Sequence, residues 1–360
     1  MADITKKVLA AMSGGVDSSV TAYLLQAKGY EIVGATMKLF QNSEIDVPKE
    51  KACCSLDDIE DARSVCARLG VPHYVLNMTA DFEKEVMERF VRAYEQGFTP
   101  NPCIDCNRYM KFERLLHKAL TLNMDYVATG HYARIAKQGD RLVLKTAKDL
   151  HTDQSYVLYS LTPDQLAHTL FPLGELTKPE VREIAAENGF VNAKKHDSQD
   201  ICFVPNGDYF SFIEKYTGKT YPRCEFVDLN GRVLGEHKGI IRYTVGQRRG
   251  LGLALPTSMY VVKKDLAHNR VVLGFNEDLF SKEVFVQDIN LTACDRLDTP
   301  VRLSAKIRYN QTEQPATVTQ TDENHLKIVF DEPQRAVTAG QAAVLYDGDT
   351  VVGGGTIAER

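Results

Sequence analysis

The sequence predicts an α/β domain with a parallel sheet, followed by a small β-rich domain and a C-terminal β-barrel. In the first half of the chain, apolar runs typical of strands alternate with amphipathic helical patterns, as in parallel sheets covered by helices on both faces. After about Phe203, short strands with turn signals dominate. The length of 360 residues exceeds what one hydrophobic core usually serves. We therefore place three domains at 1–205, 206–277 and 278–360.

Hydrophobic periodicity places the individual elements along the chain. Strands of the first domain are predicted at 8–12, 31–37, 73–77 and 125–129. Helices are predicted at 57–69, 81–94 and 111–122, and the pattern over 162–189 is also helical. Later strands are predicted at 232–235, 259–262 and 270–274 and within 301–357, where Asp347-Gly348 is a hairpin signal.

The composition is that of a soluble globular protein, with 44% hydrophobic and 25% charged residues. No apolar run reaches membrane-spanning length, and the N-terminus lacks the apolar core of a signal peptide, so we expect a cytoplasmic protein. The eight cysteines of such a protein are expected to be mostly thiols. The net charge of −5 argues against a broadly basic nucleic-acid-binding protein, but it is compatible with a local basic surface.

The most informative segment is Ser13-Gly14-Gly15-Val16-Asp17-Ser18, which lies between the first predicted strand and a helix. Two adjacent glycines let backbone N–H groups converge, and the helix N-terminus adds partial positive charge, so the segment predicts a phosphate-binding loop. It is neither a Walker A loop nor a dinucleotide fingerprint, because the lysine of the first and the glycine spacing of the second are absent. The segment resembles the PP-loop of N-type ATP pyrophosphatases, which split ATP between its α and β phosphates and adenylate a substrate oxygen.

Cysteines form the second candidate site. Cys103 and Cys106 make a C-x-x-C, which we place on a loop between two helices, and Cys202 lies far along the chain. A C-x-x-C is also half of a structural zinc site, which His131 or His196 would help to complete. Sulfur chemistry is the preferred interpretation, because the chain has no second C-x-x-C.

The other cysteines are given no role in the chemistry. Cys66 lies on the core-facing side of its predicted helix, where a thiol behaves as a small apolar group. The adjacent residues Cys53 and Cys54 are interpreted as part of an ordinary loop. Cys224 and Cys294 have no motif around them.

The order of the motifs along nearly the whole chain resembles that of the bacterial tRNA-specific 2-thiouridylase family. The segments that carry the resemblance are 11–18, 101–107, 128–133, 153–156, 201–203, 243–252, 336–341 and 346–348. The resemblance implies ATP-dependent 2-thiolation of the wobble uridine (U34) of tRNA. ATP would adenylate O2 of the uracil, with Mg²⁺ neutralising charge on the pyrophosphate, and sulfur would then replace the activated oxygen.

The resemblance also assigns roles to residues of this sequence. Cys202 is expected to carry a persulfide, and Cys106 to help release its sulfur and to end disulfide-bonded to Cys202. The residues expected to bind ATP are Ala11, Met12, Ser13, Gly14, Gly15, Val16, Asp17, Ser18, Met37 and Gly130. The residues expected to contact the target base or the rest of the tRNA are Asn101, Pro102, Cys103, His131, Thr152, Asp153, Gln154, Arg308, Tyr309 and Gln341.

Two positions depart from the family pattern. Cys103 stands where many members carry aspartate, so that Cys103, Cys106 and Cys202 form a trio able to hold a [4Fe–4S] cluster with one open iron. We prefer the persulfide route and keep delivery through such a cluster as the alternative. Thr152 stands where the family tends to have lysine, which weakens the expectation of a phosphate contact there.

The sequence itself supports RNA binding only through local basic surfaces. Arg242, Arg248 and Arg249 lie around a glycine-rich turn. Alternation along a predicted strand at 306–309 would place its two cations on one face and its tyrosine on the other. The resemblance adds that the helical insert of the first domain and the C-terminal barrel contact tRNA.

The expected partners follow from the same resemblance. They are tRNAs of the Lys, Glu and Gln type and a cysteine desulfurase or sulfur-relay protein, with no membrane partner. Two other functions are weighed against this one: a PP-loop ligase that adenylates a small metabolite, and a non-catalytic RNA-binding protein. The ligase needs neither the barrel nor the distant thiols, and the intact Ser13–Ser18 motif argues against a protein that does not bind ATP.

Overall fold

The structure is a computed structural model and describes residues 5–40, 56–195, 201–204 and 207–359. Cys53, Cys54 and His196 lie outside the described residues. The strands, in chain order, are β1 (Lys7–Ala11), β2 (Glu31–Lys38), β3 (His73–Asn77), β4 (Tyr126–Ala128), β5 (Arg134–Gln138), β6 (Arg141–Lys145), β7 (Thr169–Leu170), β8 (Cys224–Asp228), β9 (Val233–His237), β10 (Tyr260–Asp265), β11 (Arg270–Gly274), β12 (Phe280–Leu291), β13 (Val301–Lys306), β14 (Gln314–Gln320), β15 (His325–Arg335), β16 (Ala342–Asp347) and β17 (Thr350–Ile357).

The helices are mostly short and belong largely to the first half of the chain. They are α1 (Val16–Ala27), α2 (Leu56–Leu69), α3 (Thr79–Phe82), α4 (Glu88–Glu95), α5 (Pro102–Asp105), α6 (Leu116–Thr121), α7 (Pro163–Ala167), α8 (Lys178–Glu187) and α9 (Tyr209–Thr217). Two further segments, Glu83–Met87 and Cys106–Leu115, are π-helical. Such segments are rare and are frequent at functional sites.

Contacts divide the chain into two compact units. The first comprises Met1–Met87, Pro102–Gly207 and Gly348–Val352, and the second Glu88–Asn101, Asp208–Asp347 and Gly353–Arg360. Within the residues that the structure describes, no helix is long and apolar enough to cross a membrane.

The first unit is built on a parallel sheet in the order β3–β2–β1–β4–β7. Alternate residues of β1 point to opposite faces, so that Val8 and Ala10 pack with α1, α2 and α8, whereas Leu9 packs with α6. This confirms the predicted α/β domain with helices on both faces. Because β1 and β4 are parallel neighbours, the loops that follow them meet at the same edge of the sheet.

The second unit contains two β structures. A four-stranded sheet has the order β10–β11–β8–β9. Strands β12–β15–β14–β13–β16–β17 form a six-stranded antiparallel sheet, which closes into a barrel because β12 also pairs with the end of β17. The predicted small β-rich domain and C-terminal barrel are therefore confirmed.

One local prediction concerns the C-x-x-C and is wrong, because the segment is helical and not a loop. Helix α5 begins at Pro102 and continues into the π-helical segment that begins at Cys106. Proline is well tolerated in the first turn of a helix, where its missing N–H removes no internal hydrogen bond. No glycine or proline follows before residue 116 to interrupt the helix.

In two other segments the observed secondary structure differs from the predicted one. The helical pattern over 162–189 is interrupted by β7, which pairs in parallel with β4, and Pro172 keeps the helix from resuming before α8. The predicted strand at 306–309 ends at Lys306, because the chain turns there and Gln311 N–H donates to the carbonyl of Arg308. The two cations and the tyrosine of that segment are therefore not arranged by strand alternation.

Candidate active site

The loop between β1 and α1 has the geometry of a phosphate site. Gly14 has a φ of +75°, and a Cβ at this position would overlap the backbone of Asp58. No side chain caps α1 at Gly15, so the first N–H groups of the helix point to the space in front of it. The hydroxyl of Ser18 donates to the Gly15 carbonyl at 3.0 Å and accepts from Ser13 N–H at 3.2 Å, which fixes the loop.

The loop after β4 lies directly against the phosphate loop. A Cβ on Gly130 would lie 2.8 Å from the carbonyl carbon of Asp17 and 2.9 Å from the backbone nitrogen of Ser18. Neither atom belongs to a flexible side chain, so only glycine fits between the two loops. The geometry accounts for a glycine at the position that the family resemblance assigned to the nucleotide.

A charged cluster that sequence reasoning missed holds the carboxylate of Asp17. The ammonium of Lys178 lies 2.8 Å from both carboxylate oxygens, and the hydroxyl of Tyr132 donates to Oδ1 at 2.8 Å. Lys178 is the first residue of α8, where Thr177 and Glu180 form a capping box. The capping box locates the start of this helix in the sequence, but it does not reveal the distant partner Asp17.

A second missed pair of residues, Asn192 and Lys195, fastens the other side of the loop. Asn192 Nδ2 donates to the carbonyl of Gly14 at 2.9 Å. Lys195 Nζ donates to Asp58 at 2.7 Å and to Asp61 at 2.6 Å, and it also reaches the Gly14 carbonyl at 3.3 Å. Burial alone would lower the pKa of Lys195, but the hydrogen bonds to the two carboxylates raise it above its ordinary value.

His131, which the family resemblance assigned to tRNA, is buried. Its Nδ1 lies 2.6 Å from the hydroxyl of Thr129, and its Nε2 lies 3.2 Å from the ammonium of Lys111. The rings of Phe112 and Phe171 pack against the imidazole. Burial, and to a smaller extent the charge of Lys111, hold the pKa of His131 well below its ordinary value, so the imidazole is neutral at pH 7.

The three candidate cysteines belong to the same unit as the phosphate loop. Cys103 is exposed on α5, whereas Cys106, which begins the π-helical segment, and Cys202 are half-buried. Phe203 is fully buried next to Cys202 and packs edge-on against Phe82 of α3, with ring centroids 5.7 Å apart. Helix α3 also packs against the segment that Cys106 begins, so the same helix contacts both cysteine-bearing elements.

The cysteine trio does not have the arrangement of a metal site. Among residues 5–40, 56–195, 201–204 and 207–359, no three His, Cys, Asp or Glu side chains come together as a metal-binding group. Cys103, Cys106 and Cys202 are all within these ranges, so the structure gives no support to a [4Fe–4S] cluster on them. Outside the trio, Cys66 is buried, and burial raises the pKa of its thiol to about 11, as expected of an unreactive core residue.

Known protein families match this chain as three consecutive domains, in the order described above. Family models match residues 6–206 (tRNA methyl transferase HUP domain), 210–275 (tRNA methyl transferase PRC-barrel domain) and 281–357 (aminomethyltransferase beta-barrel domain). The tRNA-specific 2-thiouridylase MnmA of Clostridioides difficile is 49% identical over 98% of both chains. That of Acetivibrio thermocellus is 50% identical over 98% of this chain and 99% of its own. The chain belongs to the tRNA-specific 2-thiouridylase family.

Three residues that the family resemblance assigned to tRNA organise a turn in the first unit. The carboxylate of Asp153 accepts two backbone N–H bonds and one hydroxyl bond within the turn. Gln154 is bonded to the backbone of Tyr132 through its own N–H and its side-chain oxygen, so the turn is tied to the loop after β4. The hydroxyl of Thr152 donates to the carbonyl of Asp149.

Other tRNA candidates lie in the second unit and already make internal contacts. Arg308 donates to the hydroxyl of Thr338 at 3.1 Å, and Gln341 Nε2 donates to the carbonyl of Thr99 at 2.7 Å. Tyr309 is 39% exposed. These contacts orient the two polar side chains and leave the aromatic ring accessible.

The remaining candidates occupy the ends of elements. Ala11 ends β1 and is followed by the buried Met12, whereas Met37 lies near the carboxyl end of β2. Pro102 is buried at the start of α5, and Asn101 precedes it in the second unit. The nucleotide candidates thus lie at the edge of the sheet that the phosphate loop occupies.

The predicted basic turn of the second unit is only partly exposed. The guanidinium of Arg242 stacks 3.1 Å above the ring of Phe210 and is half-buried. Arg248 and Arg249 are exposed. Two of the three arginines are therefore available to a polyanion, and the third stabilises the fold around it.

Proposed function

We propose that the protein is an ATP-dependent tRNA-uridine 2-sulfurtransferase that makes 2-thiouridine at the wobble position of tRNA. The observation that carries this proposal is the presence, in one compact unit, of an ordered phosphate loop and two cysteine-bearing elements packed against one helix, α3. Membership of the tRNA-specific 2-thiouridylase family supports the substrate and the product. The resemblance favours tRNAs of the Lys, Glu and Gln type and a cysteine desulfurase or sulfur-relay protein as partners.

The phosphate loop is suited to the activation step. The N–H groups at the start of α1 and the dipole of that helix would bind the phosphates of ATP, and the close packing of Gly130 would keep the loop in one conformation. Asp17 supplies carboxylate oxygens, the ligand type that Mg²⁺ prefers, and Lys178 holds them in place. Bound Mg²⁺ would neutralise charge on the pyrophosphate. Uracil O2 displaces that pyrophosphate from the α-phosphate, which converts the oxygen into the leaving group AMP.

The two half-buried cysteines would then deliver sulfur. The terminal sulfur of a Cys202 persulfide attacks C2, AMP departs, and the base is briefly joined to Cys202 through two sulfur atoms. The Cys106 thiolate attacks Cys202 Sγ and breaks the S–S bond, so that 2-thiouridine is released and a Cys106–Cys202 disulfide is formed. A dithiol reductant restores the two thiols, and a sulfur donor renews the persulfide. The arrangement of Cys103, Cys106 and Cys202 gives no support to the alternative cluster route.

Two variants separate the two half-reactions. Cys202→Ser removes the proposed sulfur carrier but leaves the phosphate loop intact, so we expect tRNA-dependent pyrophosphate release without 2-thiouridine. Gly130→Ala forces a methyl group into backbone atoms of the loop, so we expect both activities to fall by at least roughly 100-fold. Radiolabelled ATP and mass spectrometry of tRNA nucleosides measure the two steps, with Cys224→Ser as the control for loss of a half-buried thiol.

Two results would contradict the proposal. Formation of 2-thiouridine by the Cys202→Ser variant would remove the sulfur-carrier role. Pyrophosphate release with a small metabolite in the absence of RNA would favour the alternative PP-loop ligase.

A further inference from the structure

Lys111 differs from the lysines that hold the phosphate loop, because no carboxylate among the described residues contacts its ammonium. Lys178 and Lys195 both contact carboxylates. In the part of the chain that the structure describes, the polar partner of the Lys111 ammonium is Nε2 of His131, at 3.2 Å. A half-buried cation beside a neutral ring is a poor ion pair, so its charge is available to an anion.

Hydrogen bonding determines which ring nitrogen of His131 carries the proton. An ammonium group can donate but cannot accept, so Nε2 must be the unprotonated nitrogen of the ring. Nδ1 therefore carries the proton and donates to the hydroxyl of Thr129, 2.6 Å away. Both ring nitrogens are thus occupied within the protein, and neither is left to bond to an RNA group.

The imidazole is held rigidly. It is only 7% exposed, and the rings of Phe112 and Phe171 lie with centroids 6.0 and 5.9 Å from it. Phe112 directly follows Lys111 in the π-helical segment, so the same segment supplies the cation and one wall of the imidazole site. This arrangement restricts where the ammonium can lie, although a lysine side chain is otherwise flexible.

The position of Lys111 relates it to phosphate chemistry. His131 follows Gly130, where an added Cβ would overlap the backbone of Asp17 and Ser18 in the phosphate loop. The ammonium is therefore anchored on the side chain of the residue that directly follows this contact between the two loops. One of its three N–H donors is taken by His131, and the others can donate to phosphate oxygens.

We propose that Lys111 is a phosphate-binding residue of this site and that His131 is the positioning residue that aims its ammonium. The proposal rests on the proposed function, because phosphate reaches this site either as ATP or as the backbone of tRNA. It also gives the buried His131 a role in RNA or nucleotide binding that needs no direct contact from the imidazole.

Binding measurements test the role of Lys111 without requiring thiolation. We expect Lys111→Met to weaken one of two interactions about 10-fold, whereas Lys111→Arg, which keeps the charge, stays within about 3-fold of the unchanged protein. If the ligand is the nucleotide, the Kd for Mg-ATP without tRNA rises. If it is the tRNA backbone, the Kd for an unmodified tRNA transcript rises, and the slope of log Kd against log salt falls by about one counterion. Lys118→Met is the control, because Lys118 is exposed farther along the same helical stretch.

A matched pair at His131 tests the positioning role. His131→Gln keeps an acceptor that can meet Lys111, whereas His131→Phe keeps an aromatic ring but has no acceptor. We expect the Phe variant to reproduce the affinity loss of Lys111→Met and the Gln variant to retain most of the affinity.

The proposal is overturned if both Kd values of a folded Lys111→Met variant equal those of Lys118→Met. Equal affinities of the two His131 variants would overturn the positioning role. An unchanged protein that binds ATP and tRNA in this way but makes no 2-thiouridine would contradict the proposed function and leave the role of Lys111 standing.

Discussion

The two compact units differ in the partners that they provide for enclosed lysine side chains. In the first, Lys178 and Lys195 are largely enclosed around the phosphate loop, and each contacts a carboxylate. In the second, the ammonium of Lys264 is buried and has no hydrogen-bond partner among the described residues. Burial of a charge is favourable only when partners replace its lost water. The paired lysines of the first unit therefore stabilise the loop between β1 and α1, whereas the buried charge of Lys264 costs stability.

A bulge explains why Lys264 points inward. The register between β10 and β11 shifts between Val261 and Lys263. In a regular strand, Lys263 would share the buried face of Val261, but the extra residue moves Lys264 to that face instead. The cost is local to the strand, because neither the phosphate loop nor the candidate cysteines Cys103, Cys106 and Cys202 belong to this unit.

The largest change in stability is expected for Lys264→Met. Burial lowers the pKa of Lys264 to about 8, and the charge of Glu359 opposes this only in part. The difference from an ordinary lysine corresponds to about 3 kcal/mol at pH 7, so the variant should be more stable by roughly that amount. Urea unfolding at pH 7 measures the difference, with exposed Lys263→Met as the control.

The same variant predicts a pH dependence with a definite sign. Between about pH 8 and pH 10.5 the unfolded chain keeps the lysine proton and the folded chain has lost it, so the unchanged protein gains stability as the pH rises. The advantage of Lys264→Met should therefore shrink by pH 10. An advantage of equal size at pH 7 and pH 10 would show that desolvation of the charge is not its cause.

The next largest change in the free energy of unfolding is expected for Lys195→Met, which should lower the stability. The substitution removes the cation that contacts Asp58 and Asp61, together with one of the bonds to the Gly14 carbonyl. Because the Lys195 side chain is 34% exposed, solvent screens part of the loss, and we expect a cost of about 2 kcal/mol. Urea unfolding measures the stability. The affinity for Mg-ATP, measured by calorimetry, shows whether the loop keeps its binding conformation.

The neighbouring exposed residue Lys194 provides the matched control. Lys194→Met removes the same charge one position away, so it should leave both the stability and the ATP affinity unchanged. If Lys195→Met behaves like Lys194→Met in both measurements, the paired cation does not hold the loop.

The sequence was sufficient for the parts of the site that depend on neighbours along the chain. The segment from Ser13 to Ser18 predicts its own conformation, because adjacent glycines between a strand and a helix favour a phosphate loop. The alternation of strand and helix likewise predicted the parallel sheet, since each pattern arises from local burial. Gly130, in the loop after β4, was assigned to the nucleotide only through the family resemblance that the order of motifs carries.

Contacts between distant segments were beyond sequence reasoning. Lys178 and Lys195 reach the loop from more than 130 residues along the chain, and no periodicity encodes such a pairing. The inward position of Lys264 depends on a bulge that strand alternation does not reveal. The C-x-x-C was placed on a loop between two predicted helices, whereas Pro102 begins a short helix that continues past Cys106.

The smallest change in stability is expected when an exposed ion pair of the second unit, between Arg302 and Asp331, is broken. Two parallel hydrogen bonds of 2.8 and 2.7 Å join their side chains, a geometry at least as good as that of Lys195 with its carboxylates. The Asp331 carboxylate accordingly raises the pKa of Arg302 and has its own pKa lowered, but both groups are exposed to solvent. Water and salt already compensate such charges, so Arg302→Met should not change the urea midpoint measurably at physiological ionic strength. A clear loss of stability in 1 M salt would mean that geometry, and not burial, decides which ion pairs of this protein matter.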